Sequence, residues 1–365
     1  MKANRSNDGN VIIRRLAKKC ASAIAAYIDH PGSLSIQPHK VLRIAYFIGG
    51  GIGDGIMSAP ALALLGKTFT HAQVDVLVPR QSYPVLAILL SEYRVAPFHP
   101  ERILLSVLPR WHRPYDLAFT NTIAAFKMGI EYAAVLCSSV ACGFRYSDEG
   151  FGERLYSFTR RLQHDEHDRW QNMLLIRDTV AGVGEQALVE CSSVSAQVSP
   201  QRTAAVVMHP GVARGYALRL WPVSRYREIV ERLRDRKVKV KVLFGPAERY
   251  LIDDFEGIAG NGVELLVCPG AQKLVDTISE ASLFVGNDSG PGHIAALVGT
   301  PGISLFGPAD PARSAPQGPA HTVLYTGEAC SPCHFKSAAC RTNNCMQNIS
   351  VDRVWEVVVQ KLFGT

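Results

Sequence analysis

The chain has 365 residues, too long for one ordinary domain, and its composition is globular, with 47% hydrophobic and 19% charged residues. No apolar run reaches the roughly 18–20 residues that span a bilayer, and the start of the chain lacks the pattern of a signal peptide, so a cytoplasmic protein is expected. The formal net charge of +7 favours anionic ligands, but the Lys and Arg residues form no basic run interleaved with aromatic residues, which argues against a nucleic-acid partner.

Residues 1–40 are predicted to be a tail followed by one amphipathic helix. The segment Val11–Ile28 has apolar residues at helical spacing and four basic residues along one side. Two interpretations stay open. The helix packs on the protein's own surface, which we favour, or it makes a peripheral contact with the anionic inner membrane.

From residue 41 onwards, short apolar strands alternate with helices, a pattern typical of parallel β-α units. The first run of units has predicted strands at 41–48, 74–79 and 115–120 and helices at 56–69, 83–92, 122–137 and 172–184. After a polar stretch at 145–200, the second run has predicted strands at 203–211, 238–246, 262–270, 283–290 and 301–308 and helices at 223–236, 271–282, 291–299 and 352–363.

These two runs predict an α/β protein with two Rossmann-like domains, 41–190 and 191–365, whose parallel sheets face each other across a cleft. Ligands of such sheets bind at the carboxyl ends of the strands.

The segment Tyr46–Leu65 contains five glycines within seven positions, at 49, 50, 51, 53 and 55. A dinucleotide fingerprint needs Gly at i, i+2 and i+5, and this spacing fails because positions 54 and 56 are Asp and Ile. The loop also lacks a Walker lysine, so it is a poor phosphate cradle.

Asp54 is predicted to stand near the N-terminus of the following helix, at the rim of the cleft. The residues leave two roles open, a helix cap favoured by the macrodipole or a general base. Capping alone does not explain so many glycines, and Gly51, Gly53 and Gly55 are expected to give clearance for an acceptor beside Asp54.

The segment Val285–Leu297, with the sequence VGNDSGPGHIAAL, predicts a phosphate site at the start of a helix. Asp288 and Ser289 can cap the helix, Gly290 frees the turn, and His293 lies one turn in, able to donate to a phosphate oxygen. The alternative is a well-capped structural helix with a satisfied histidine.

Three further residues of the second half are candidate ligands of a nucleotide donor. Gly211 ends the strand that opens this half, Arg219 could neutralise a diphosphate bidentately, and Glu248 could accept a hydrogen bond from a ribose hydroxyl. The alternatives are a solvated surface arginine and an ordinary glutamate in the first turn of a helix.

Four cysteines near the C-terminus have the spacing C-x2-C-x6-C-x4-C, namely Cys330, Cys333, Cys340 and Cys345. Four thiolates suit a structural zinc or iron ion, and the alternative is a thiol-rich loop without metal.

Several of these segments together resemble glycosyltransferase family 9, over about residues 41–362 and most weakly between 95 and 200. The matching motifs are IGDGIMSAPALALL, HPGVARGYALRLWPVSRYREIV, LFGPAE, NDSGPGHIAALVGTPGISLFGPADPAR and CSPCHFKSAACRTNNCMQNIS. Members of this family have the GT-B fold and transfer a sugar with inversion, typically heptose from ADP-heptose, without a catalytic metal.

The resemblance implies a role for each matched residue. Asp54 takes the general-base position and Arg219 the basic donor-site position, Glu248 lies near the nucleoside, and Asp288, Ser289, Gly290 and His293 form the donor loop. The chain departs from the family at position 48, where members often carry Lys or Arg and this chain has Ile48.

The expected activity is therefore sugar transfer from a nucleotide sugar to a lipopolysaccharide core or related glycan, or to a lipid-linked acceptor. A protein hydroxyl as acceptor, a sugar-nucleotide epimerase and a non-catalytic binding protein stay open as alternatives. The failed glycine spacing argues against an NAD-dependent oxidoreductase.

Overall fold

A computed structural model of the chain describes residues 34–98, 114–123, 128–145, 156–194, 202–267, 269–333, 340 and 342–364. The described residues form two parallel sheets of six strands each. The strands of the first sheet are β1 Arg43–Phe47, β2 Gln73–Pro79, β3 Arg94–Phe98, β4 Tyr115–Thr120, β5 Ser138–Arg145 and β6 Phe158–Arg161. Those of the second are β7 Ala205–His209, β8 Lys239–Phe244, β9 Val263–Val267, β10 Leu283–Asn287, β11 Gly302–Phe306 and β12 His321–Tyr325.

The helices lie between the strands. Those of the first half are α1 Ile52–Met57, α2 Ala59–Thr68, α3 Tyr83–Leu89, α4 Met128–Cys137, α5 Asp168–Thr179 and α6 Glu185–Ser192. Those of the second half are α7 Val223–Asp235, α8 Asp253–Glu256, α9 Ala271–Ser279, α10 Gly290–Leu297, α11 Pro311–Ser314, α12 Asn344–Gln347 and α13 Val351–Phe363. None of the described helices is long and apolar enough to cross a membrane.

The two sheets have the same topology. Their strand orders are β3-β2-β1-β4-β5-β6 and β9-β8-β7-β10-β11-β12, so β7 to β12 repeat the order of β1 to β6. In each half the first strand lies between the second and the fourth, for example β1 between β2 and β4. The loops after the first and fourth strands therefore meet at one edge of each sheet, where the order reverses and ligands bind in such folds.

The central strands are buried because helices cover both faces of each sheet. All five residues of β7, β10 and β11 are buried, and so are four of the five in β1. One apolar core continues across both halves, since Ile56 and Leu86 of the first half belong to the same cluster as Ile278 and Ile294 of the second. The halves thus pack directly on each other through α1 and α3 against α9 and α10.

The prediction of an α/β fold with two parallel sheets is confirmed, and all eight predicted strands are present. Four strands were not predicted, namely β3, β5, β6 and β12. The predicted helix at 56–69 is two helices that begin earlier, at Ile52, and the predicted helix at 122–137 begins at Met128.

The amphipathic helix predicted at Val11–Ile28 lies outside the described residues, and so do residues 146–155 and 195–200 of the polar stretch. The domain boundary that the sequence predicts at residue 190 falls within α6.

Candidate active site

Asp54 lies in the first turn of α1, directly after the glycine loop that follows β1. Asn121, which directly follows β4, fixes the loop, because its Oδ1 accepts a hydrogen bond of 2.9 Å from the Gly49 N–H. The Gly51 N–H donates to Asp54 Oδ2 at 2.7 Å, so this carboxylate satisfies the N-cap backbone at the start of α1. Asp54 therefore caps the helix. Because the residue is only half-buried, the same hydrogen bond holds its carboxylate where solvent can reach it.

The glycines of this loop mostly make room for protein atoms. A Cβ at Gly50 would lie 1.8 Å from Asp54 Oδ2, one at Gly53 2.8 Å from the His293 ring, and one at Gly55 2.5 Å from Leu86. At Gly51 the nearest atom would be Asp54 Oδ2, at 3.9 Å. The expectation that Gly53 and Gly55 give clearance for an acceptor is therefore corrected, because α10 and α3 occupy that space.

Ile48, which replaces the basic residue common in the resembling family, is completely buried in the shared apolar core. Its N–H donates to Leu77 O at 2.9 Å, so the backbone here continues the β1–β2 pairing. The apolar side chain at this position thus serves the core of the first half.

Glu248 and Gly211 meet at the edge of the second sheet. A Cβ at Gly211 would lie 2.3 Å from Glu248 Cδ, so only glycine lets the carboxylate lie against this turn. Glu248 Oε2 accepts from the Gly245 N–H at 2.6 Å and contacts His209 Nε2 at 3.2 Å. Burial pushes the pKa of Glu248 upwards, but the hydrogen bonds and the charge of His209 outweigh it and hold the pKa below its ordinary value.

Asn287 organises the loops around this site. Its Oδ1 accepts from the Trp221 N–H at 3.2 Å and from the Tyr226 hydroxyl at 3.0 Å, and its Nδ2 donates to Pro210 O at 2.8 Å. Asn287 is fully buried at the end of β10, and all three partners lie on the chain from β7 to α7. It therefore fixes the segment that carries Arg219.

Arg219 is held by Asp288 and Tyr216. Its Nη1 lies 2.9 Å from Asp288 Oδ2 and donates to Asp288 O at 3.3 Å, and the Tyr216 ring centroid lies 4.5 Å from its Cζ. Burial raises the pKa of Asp288 to about 6, with Arg219 lowering it and Asp54 raising it further.

Ser289 and Gly290 stand at the start of α10, as the sequence predicts. Ser289 is the N-cap residue, and its hydroxyl contacts His209 Nδ1 at 3.3 Å and donates to Asn287 O at 3.2 Å instead of capping the helix. A Cβ at Gly290 would lie 3.0 Å from the Cβ of Ile52 in α1. The N-terminus of α10 thus packs on the helix that carries Asp54.

His293 is placed differently from the prediction. Its side chain is buried, its ring packs on Gly53, and it lines a small cleft with Met57, Pro60 and Arg169. Burial, with the positive charges of neighbouring side chains, lowers the pKa of His293 to about 3, so the ring is neutral. The predicted phosphate contact is corrected to a contact between the two halves, since the ring faces α1.

The four C-terminal cysteines do not form the predicted metal site within the part of the chain that the structure describes, where no group of three or more His, Cys, Asp or Glu is placed to hold a metal ion. Cys345 is buried in the apolar core of the second half, and burial, followed by the neighbouring thiols of Cys330, Cys333 and Cys340, raises the pKa of its thiol to about 11. Cys330 and Cys340 are exposed. The predicted zinc or iron ion therefore has no support among these residues.

Four residues that build the site were absent from the predicted set, namely Asn121, His209, Tyr216 and Asn287. Asn121 and Asn287 could have been found by their position, because each polar side chain ends an apolar strand. His209 has the same signal at the end of β7. Tyr216 carries none, since it lies in an exposed loop.

The comparisons with known proteins agree with this geometry. A model of glycosyltransferase family 9 (heptosyltransferase) matches residues 132–343, more than half of the chain. The lipopolysaccharide heptosyltransferase 3 of Escherichia coli strain K12 is 34% identical over 287 residues, which cover 71% of this chain and 80% of that protein.

Two solved structures share the fold. The Escherichia coli ADP-heptose lps heptosyltransferase II matches with a TM-score of 0.67 and 19% identity, over 88% of this chain and 99% of that one. The Escherichia coli heptosyltransferase WaaC with ADP matches with a TM-score of 0.63 and 18% identity, over 88% of this chain and 100% of that one. From the two repeated sheets, the site at their junction and these matches, it follows that the chain belongs to glycosyltransferase family 9 and is a glycosyltransferase with the GT-B fold.

Proposed function

We propose that this enzyme transfers heptose from ADP-heptose, with inversion, to a lipopolysaccharide core or related surface glycan, with Asp54 as the general base. The observation that carries the proposal is the packing of α10 on α1. Gly290 packs on Ile52, so Asp54, two residues after Ile52, and Asp288, two residues before Gly290, stand on the two sides of this contact. A base for the acceptor and a cation for the donor thereby meet at the junction of the two halves.

The donor is proposed from the residues of the second half and from the relatives. Arg219 offers a planar cation to a diphosphate, and the positive end of the helix dipole at the start of α10 offers a second anion site. Glu248 uses Oε2 for Gly245 and His209, so Oε1 is left to accept a hydrogen bond from a ribose hydroxyl. The names of the related proteins include ADP-heptose and ADP, which selects adenosine diphosphate as the proposed leaving group.

The chemistry follows from these positions. Asp54 accepts the proton of the acceptor hydroxyl while that oxygen forms a bond to the anomeric carbon of heptose. The bond between the anomeric carbon and the diphosphate oxygen breaks, and its electron pair leaves with ADP. Arg219 and the N-terminus of α10 stabilise the charge that develops on the diphosphate. Attack from the face opposite the leaving group inverts the anomeric centre.

The substitution Asp54→Asn tests the role of the base. An amide cannot take the proton, so we expect transfer to fall by roughly 10³-fold, while the affinity for ADP-heptose stays within a few fold. Asp254→Asn is the matched control, because Asp254 is an exposed acidic residue in the first turn of α8 and should leave transfer unchanged. Turnover close to the wild-type rate in the Asp54→Asn variant would remove Asp54 from the mechanism.

The donor and the acceptor are tested separately. Thermal shift with ADP-heptose beside UDP- and GDP-sugars should show stabilisation by the ADP sugar alone, and stabilisation by none of them would favour a non-catalytic protein. Product analysis with a heptose-deficient lipopolysaccharide core should then show one added heptose. Transfer to a protein substrate instead would change the proposed acceptor.

A further inference from the structure

Tyr216 is an exposed aromatic residue at the edge of the second half, which is the donor half under the proposed function. It lies in the loop between β7 and α7, and 41% of its surface remains exposed. Its ring packs over the guanidinium of Arg219, with 4.5 Å from the ring centroid to Cζ. An arginine within about 6 Å of a ring centroid is attracted to the negative face of the ring.

The local backbone produces this stacking. Ala217–Arg219 form one turn of 3-10 helix, closed by the Arg219 N–H donating to Tyr216 O at 2.9 Å. Side chains at i and i+3 eclipse each other in a 3-10 turn, so residues 216 and 219 point the same way. Gly215, with a φ of +91°, allows the chain to enter this turn. The stacking is therefore built into the sequence GYALR.

The guanidinium of Arg219 thus contacts two groups, the Asp288 carboxylate and the Tyr216 ring. Asp288, of which only 5% of the side chain is exposed, lies 2.9 Å from Nη1, and the Tyr216 ring covers the guanidinium. The ring adds a plane that fixes the orientation of the guanidinium, and bidentate binding of a diphosphate requires a fixed orientation.

We propose that Tyr216 is a positioning residue that holds the guanidinium plane of Arg219 ready for the diphosphate of the donor. This inference rests on the proposed function, since it takes Arg219 as the diphosphate ligand. Tyr216 acts through Arg219, by the face of its ring.

The test is a double-mutant cycle with ADP as the ligand, measured by titration calorimetry. Tyr216→Ala should weaken ADP binding about fivefold, as expected for a cation–π contact near the surface. Tyr216→Phe keeps the ring and should bind within about twofold of the wild type. Because the side chain is exposed, Tyr216→Ala should keep the unfolding midpoint of the wild type.

The cycle is completed in an Arg219→Ala background, where Tyr216→Ala should have no further effect on ADP binding. With ADP-heptose as substrate, Tyr216→Ala should also lower kcat/KM. A fivefold loss that persists without Arg219 would show that Tyr216 contacts the donor itself, and an unchanged affinity in the single Tyr216→Ala variant would show that the stacking has no role. Either result overturns this inference alone, whereas wild-type protein that binds no ADP overturns the proposed donor and this inference together.

Discussion

At the scale of single residues, the second half holds a buried carboxylate through one of its two oxygens. Under the proposed function, the other oxygen is left for the donor. Glu248 is the clearest case, because both of its fixed contacts go to Oε2. Gly211 and Gly245 lie against the side chain, which keeps the carboxylate at the turn between β8 and the following residues. A glutamate in the first turn of an ordinary helix would not be buried or held in this way.

Replacing Glu248 by Gln should weaken ADP binding roughly tenfold, which corresponds to the loss of one charge-assisted hydrogen bond. The amide oxygen must face the Gly245 N–H, so the amide N–H groups replace Oε1 as the group offered to the ribose. Glu264→Gln is the control, since Glu264 is exposed on the adjacent strand β9. The measurement is the ADP dissociation constant, and equal affinities for the two variants would remove Glu248 from the donor site.

At the scale of elements, two helices from different halves touch at positions where one of the partners has no side chain. Gly53 of α1 accommodates the His293 ring of α10, and Gly290 of α10 accommodates Ile52 of α1. Helices approach closely where small residues remove the side chains between them. The close approach places the capped carboxylate of Asp54 beside the donor loop, so this helix pair is the structural basis of the site.

The substitution Gly53→Ala tests this contact. The new methyl group would lie 2.8 Å from a buried ring atom, so we expect a lower unfolding midpoint and slower transfer. Gly66→Ala in α2 is the matched control, because its Cβ would meet no atom within 4 Å and alanine favours the helix by up to about 1 kcal/mol. Adding His293→Ala to Gly53→Ala should restore part of the midpoint. A Gly53→Ala protein as stable as the Gly66→Ala protein would contradict the contact.

At the scale of the whole molecule, a second joint links the two halves in addition to the contact of α1 with α10. Arg313 of α11 forms an ion pair with Asp168 of α5 at 2.8 Å, and only 14% and 8% of the two side chains are exposed. Beside it, His167 caps α5 through Nδ1, which accepts from the Arg169 N–H, so its Nε2–H donates to Ala315 O at 2.9 Å. The two joints together fix the orientation of one sheet relative to the other.

Removing Arg313 should be costly, because Asp168 would stay buried without its cation. We expect Arg313→Ala to lower the free energy of unfolding by about 3 kcal/mol or more, measured by denaturant unfolding. Glu228→Ala is the control, since it breaks the surface pair with Arg232 and should cost at most about 0.5 kcal/mol. Equal losses in the two variants would show that the joint contributes no more than a surface pair.

Much of this architecture could be predicted from local pattern. The apolar strands of the second half were found because β7, β10 and β11 are buried on both faces and read as continuous apolar runs. β6 was missed because its sequence, FTRR, has partly exposed charges at the edge of the sheet. Asp54 was singled out because it stands in a glycine-rich loop and Arg219 because it precedes the first helix of the second half, and their roles stay predictions.

The misplaced residues have a common cause. His293 was expected at the phosphate because its spacing from the helix start is suitable, but a residue 240 positions away covers it. Cys345 was expected at a metal site, and its side chain lies in the apolar core of the second half. A local pattern gives the direction of a side chain on its element, whereas the identity of the group it meets depends on how distant elements pack.

The contacts of Gly53 with His293 and of Ile52 with Gly290 also limit which substitutions can be accepted at these positions during evolution. A larger side chain at position 53 is tolerated only with a smaller one at 293, and the same holds for positions 290 and 52. These four positions can therefore change only as a set. A chimaera that joins the donor half of a relative to this acceptor half would need to carry the matching residues with it.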